Sequence, residues 1–171
     1  MLKSVAGHTV RSLVRKKTAQ AHKKFLNWEE IKSMALVIED TEMPSKHLVD
    51  QLLDELKKHC EVYYLELKTK QASYNDWHCL TKKDKNLIGL PKKKLLHAFK
   101  TKKYDLIINT AEQAIFYSAA LSACFQSTFT CSSTEEFGHG DLIIKRADKQ
   151  DLISYLREVQ RYLKMINSKK S

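Results

Sequence analysis

Glycine is scarce in this chain, with four residues at positions 7, 89, 138 and 140, so neither the phosphate-loop pattern GxxxxGKS/T nor the dinucleotide fingerprint GxGxxG can be drawn. Nucleotide binding by those two modes is excluded. No GxSxG elbow is present either, so no catalytic residue can be assigned, and His139 between Gly138 and Gly140 reads as an exposed turn residue. Four cysteines, Cys60, Cys79, Cys124 and Cys131, show no CxxC spacing, and reduced thiols in a cytoplasmic protein are the simplest reading. His59-Cys60 and His78-Cys79 repeat a dipeptide, but neighbours on a strand point to opposite faces. A shared tetrahedral site is then hard to build, so neither metal nor cofactor is expected. No apolar run approaches the roughly 18 residues of a membrane-spanning helix, so no membrane insertion is expected.

Acid is missing where base is dense. Residues 1–28 carry seven Lys or Arg and no Asp or Glu, and residues 82–103 carry nine Lys against Asp84 alone. These two segments hold +15 of charge and the rest of the chain −5, so a mildly acidic body bears two strongly basic attachments. Charge density of this kind favours a polyanionic partner. The acid-free start also resembles an organelle transit sequence, although Lys outnumbers Arg and no clear apolar face forms.

Residues 3–26 favour helix, with Val10, Leu13, Val14 and Phe25 forming a loose apolar strip and charge nearly all round. That pattern predicts a solvated arm or a helix that contacts nucleic acid. Met34 to Ile38 is a continuous apolar run that predicts a buried strand. Ser45 then caps a helix with Leu48, Val49, Leu52, Leu53 and Leu56 at helical spacing, and Val62 to Leu65 reads as a second strand. Residues 68–91 lack periodicity and predict a long loop. A short helix over 92–99, a strand over 105–109, a small-residue helix over 112–124, strands over 127–131 and 141–144, and a final helix through Leu152, Leu156, Val159, Leu163 and Ile166 follow. The expected fold is a three-layer α/β domain with a mostly parallel sheet of about five strands. Residues 1–30 are a basic helical extension, 31–167 the domain and 168–171 a disordered tail.

Ile31 to Ile38, Tyr104 to Asn109, Ala119 to Phe125 and Asp141 to Ile144, following a Lys-rich N-terminal helix, resemble a Bacteroidota family known as a domain of unknown function. That resemblance implies a cytosolic bacterial α/β protein and brings no activity with it. The third strand and its small-residue helix are also similar to part of the N-terminal half of a two-domain glycosyltransferase, whose donor-binding second domain has no room here. The polar residues at the strand ends are arranged as in a phosphate-receiver domain, with Asn109 at the position of the phosphoryl-accepting Asp.

The resulting expectation is a non-enzymatic, RNA-associated protein, with the ribosome as the abundant candidate. Arg11, Arg15, Lys16, Lys17, Lys23, Lys24, Lys82, Lys83, Lys85, Lys92, Lys93 and Lys94 would contact phosphates. Tyr74 and Trp77 either stack on unpaired bases or pack beneath the loop. The alternative is a regulatory or receiver-like module that binds a small phosphorylated ligand or a protein partner at a strand-end crevice of Glu39, Asp40, Asn109, Thr110 and Lys145. An acidic protein partner would also suit the basic segments, and the oligomeric state is not encoded in any motif.

Overall fold

The computed structural model describes residues 2–20, 24–39, 41, 44–65, 74, 76–136 and 140–166. Among these residues six parallel strands form one sheet: β1 (Ser33–Glu39), β2 (His59–Leu65), β3 (His78–Leu80), β4 (Lys103–Asn109), β5 (Gln126–Ser132) and β6 (Leu142–Ile143). Their order is β3-β2-β1-β4-β5-β6. That order is shared with doubly wound dinucleotide-binding sheets, and it reverses direction between β1 and β4. The continuous apolar run of β1 follows from its central place, because a parallel strand is covered on both faces.

β3 corrects the expectation of a structureless loop over 68–91. Its three residues pair in register with Tyr63, Tyr64 and Leu65, and so short a strand leaves no readable alternation. Residues 82–92 are also ordered, as described below.

On one face of the sheet Met34, Leu36, Ile38, Val62, Tyr64, Leu106 and Ile108 meet α2 (Lys46–Leu56) and α5 (Leu152–Met165). Both helices begin at side-chain caps: Ser45 accepts from the Leu48 N–H and Asp151 from the Ser154 N–H. On the other face Ala35, Val37, Tyr63 and Ile107 meet α3 (Lys93–Phe99) and α4 (Ile115–Cys124).

α4 is apolar or small on every side, so it needs a second cover, and α1 (Leu2–Gln20) supplies it. Ala6, Val10 and Val14 are buried against Ala119 and Ala120. The solvated-arm reading of this helix is therefore corrected. The stripe on α1 is narrow, but alanines on α4 let the two backbones approach closely, so a narrow stripe is enough.

Candidate nucleic-acid interface

The second basic segment is held by residues that are not lysine. Asp84, its one acid, accepts from the Thr81 N–H at 2.8 Å and the Thr81 hydroxyl at 3.1 Å. Thr81 in turn accepts from the Lys83 N–H, so the carboxylate is spent on a capping box around a 3₁₀ turn, Lys82–Asp84. The Asn86 side chain accepts from the N–H groups of Ile88 and Leu90, both at 3.0 Å. Gly89 makes the turn at φ +79°, a conformation that suits a residue without a Cβ. The Lys92 N–H returns to the Asp84 carbonyl at 2.8 Å, closing the loop.

Leu90, 3% exposed, and the half-buried Ile88 insert from this loop into the apolar cluster shared by α1 and α4. Two basic segments far apart in sequence therefore meet on one side of the molecule. Among the described residues, Arg11, Arg15, Lys16, Lys82, Lys83, Lys92, Lys93 and Lys94 are exposed and form no ion pair. Leu87, on the same loop, is 97% exposed.

Other predicted contacts are placed differently. The half-buried Lys17 donates to the Ser122 carbonyl at 2.7 Å and to the Thr130 hydroxyl at 3.4 Å, so its charge serves the C-terminal end of α4. Lys85 is half-buried and lies over the Tyr117 ring at 5.3 Å. Lys24 lies beyond α1, 3.9 Å from Glu30, and Lys23 falls outside the described residues. Tyr74 and Trp77 pack together at 5.0 Å beside Tyr64, and the Trp77 indole donates to Asp50 at 3.2 Å. They belong to the core beneath α2 and α5, on the opposite sheet face from the lysine loop, so the base-stacking reading gives way to the packing one.

The strand-end crevice is largely turned inward. Glu39, 1% exposed, accepts from the N–H groups of Glu112 at 3.1 Å, Gln113 at 3.0 Å and Ala114 at 2.9 Å. Amides at the start of a helix commonly hold a phosphate at this point of a doubly wound sheet. Here the chain's own carboxylate fills the position. Asn109 accepts from the Ala111 N–H and donates to Ser122, while Thr110 donates to the Val37 carbonyl. Lys145 is exposed and pairs with Glu135 at 3.0 Å, and Asp40 falls outside the described residues, as does His139. A polar cleft of about 520 Å³ remains above Glu39, with Arg146 and Gln150 on its wall.

One polar centre left little signal in sequence. Glu61 on β2 accepts from Lys102 at 2.8 Å and from the Tyr63 hydroxyl at 3.2 Å, and lies 2.9 Å from a His78 ring nitrogen. Burial opposes its ionisation, but the hydrogen bonds from Lys102, His78 and Tyr104 prevail and hold its carboxyl at about 2. The only hint was the recurrence of His beside Cys, which puts His59 and His78 on adjacent strands within 3.9 Å and 2.9 Å of this carboxylate. Lys102 is thereby neutralised and is no part of the basic face.

No helix among the described residues is long and apolar enough to cross a membrane. Residues 3–166 match the model of a family of unknown function, DUF6913, and the chain belongs to that family. No curated protein and no solved structure matches it.

Proposed function

For this member of DUF6913, we propose a non-enzymatic association with RNA in the cytoplasm, with ribosomal RNA as the most abundant candidate. Phosphates would be met by Arg11, Arg15 and Lys16 on α1 and by Lys82, Lys83, Lys92, Lys93 and Lys94 on and after the loop. The observation that supports this is the shared apolar cluster of Val10, Val14, Ile88 and Leu90 on α4, which joins two acid-poor segments into one surface. Each lysine that meets a phosphate releases condensed counterions, so affinity should fall by roughly 0.7 in log K per contact for each tenfold rise in salt on a single strand.

The test is co-sedimentation of the protein with ribosomes and bulk RNA, with and without ribonuclease, across a salt series. Ribonuclease-sensitive and salt-sensitive co-sedimentation, weakened by Arg15→Glu with Lys16→Glu, supports the proposal. Absence of co-sedimentation at low salt overturns it, and salt-sensitive association that survives ribonuclease assigns the face to an acidic protein instead.

A second reading, a regulatory module with a small phosphorylated ligand or protein partner at the strand ends, draws on the cleft beside Arg146. It requires a ligand-induced rise in melting temperature that Arg146→Ala removes and that changes at Arg15 and Lys16 leave alone.

A further inference from the structure

A cavity of about 650 Å³ opens between the C-terminal half of α1, the end of α4 and the start of β5. Its volume falls in the range of small-molecule sites, about 300–1,000 Å³. Leu13 and Ala123 give it apolar walls, and Lys16, Lys17 and Lys100 give it cationic ones. Among the described residues no carboxylate lines it. That sets it apart from the strand-end clefts, lined by Glu39, Glu112 and Asp148 or by Glu135 and Glu136, and from the α2 cleft, lined by Asp50, Asp54 and Asp76.

Lys17 is directed inward to Ser122 and Thr130, which leaves Lys16 and Lys100, both exposed, as the cations at the mouth. Gln126 donates its side-chain N–H to the Lys100 carbonyl at 3.0 Å, fixing the amide at the rim beside that lysine. An apolar recess with cations at its opening and, among the described residues, no acid within suits a ligand with an apolar body and an anionic end. A fully apolar ligand would leave the lysines desolvated without a partner, and a bare anion would leave the recess unfilled.

We propose that this cavity seats one nucleotide unit, with its phosphate at Lys16 and Lys100 and its base against Leu13 and Ala123. The choice of a nucleotide among amphiphilic anions rests on the RNA reading above, since Lys16 belongs to both surfaces. The unit comes either from a free mononucleotide or from a strand lying along α1.

The experiment is a titration of the full chain with AMP, followed by amide NMR shifts, with inorganic phosphate and adenosine as controls. Saturable shifts at Ala123, Cys124 and Phe125 are expected, weakened about tenfold by Lys100→Glu, since one lost charge-assisted contact is of that size. Ala123→Phe, which fills the recess without touching charge, should abolish them, and Lys100→Glu keeps the test sound if that variant fails to fold. No saturable shift by about 10 mM AMP, a concentration that would reveal even millimolar affinity, overturns the proposal, as does phosphate alone reproducing the shifts. An adenylate decamer that displaces AMP from the same resonances supports the site with a strand as the source. A decamer that binds without displacing AMP supports it with free nucleotide. Salt-dependent RNA association with no AMP shift refutes the cavity alone, and AMP binding without RNA association refutes only the wider RNA reading.

Discussion

The Lys17 ammonium lies 2.7 Å from the carbonyl oxygen of Ser122, in the last turn of α4, although 105 residues separate the two in sequence. A cation at the C-terminal end of a helix meets carbonyls that have no intrahelical donor, and a charge-assisted bond there is worth about 1.5–3 kcal/mol. Lys17→Met should therefore lower unfolding free energy by about 1–2 kcal/mol in urea melts, part of the loss being offset by the retained apolar stem. Its neighbour Lys16 is exposed, and Lys16→Met should stay within about 0.5 kcal/mol of the parent. Equal effects at the two positions would show that Lys17 is a surface charge like any other.

Glu39 plays the part that a bound anion plays at helix starts in doubly wound sheets. Glu39→Ala leaves the N–H groups of Glu112, Gln113 and Ala114 without their acceptor in the partly buried turn before α4, at about 1–3 kcal/mol for each group that water does not reach. A loss of about 3 kcal/mol or more is expected in urea melts. The vacated amides form an anion site, so sulfate should raise the melting temperature of the variant more than that of the parent. Identical responses to sulfate would show that the loop before α4 collapses when the carboxylate is removed.

Glu61 should shape the acid limb of stability. Its folded pKa, about 2, lies below the ordinary carboxylate value, so its contribution is complete above about pH 4.5 and is lost as pH falls toward 2. Glu61→Gln should flatten the fall in unfolding free energy across that window. Urea melts at half-unit steps of pH give the comparison, and a parallel fall in both proteins would place the acid sensitivity elsewhere.

Strands β1, β2, β4 and β5 and helices α2 and α5 were legible because each carries its own pattern: a buried apolar run, a cap or a 3.6-residue stripe. Their arrangement was less so. The order of strands rests on long-range pairings, and the existence of β3 on pairing with Tyr63 to Leu65, which His78 to Leu80 do not express alone. The docking of α1 was hidden because its own stripe is slight; the signal lay in α4, whose apolarity on every side demands two covers. Of the predicted contacts, the exposed lysines follow from the charge count, whereas Lys17 and Lys85 are drawn inward by a carbonyl and a ring that only the fold brings near. Trp77 could be assigned to a face only once β3 existed, since its place under α2 follows from that strand.

The apolar joint between the two basic segments makes the last prediction, because it separates the amount of charge from its arrangement. Val10 is fully buried where α1 meets α4, and Val10→Asn places an amide there without altering a single charge. The substitution should release α1, at a cost of roughly 1–3 kcal/mol for burying an unpaired polar group in its stead. If the segments act as one surface, freeing one of them lowers its effective concentration at the RNA, so affinity should drop about tenfold or more while net charge stays the same. The salt slope should fall as well, since fewer phosphates are met at once. Circular dichroism and a urea melt of the variant establish that the sheet and α5 remain folded before binding is measured. Unchanged affinity and slope in a folded variant with a released α1 would mean that α1 and the loop over 82–92 engage the polyanion independently.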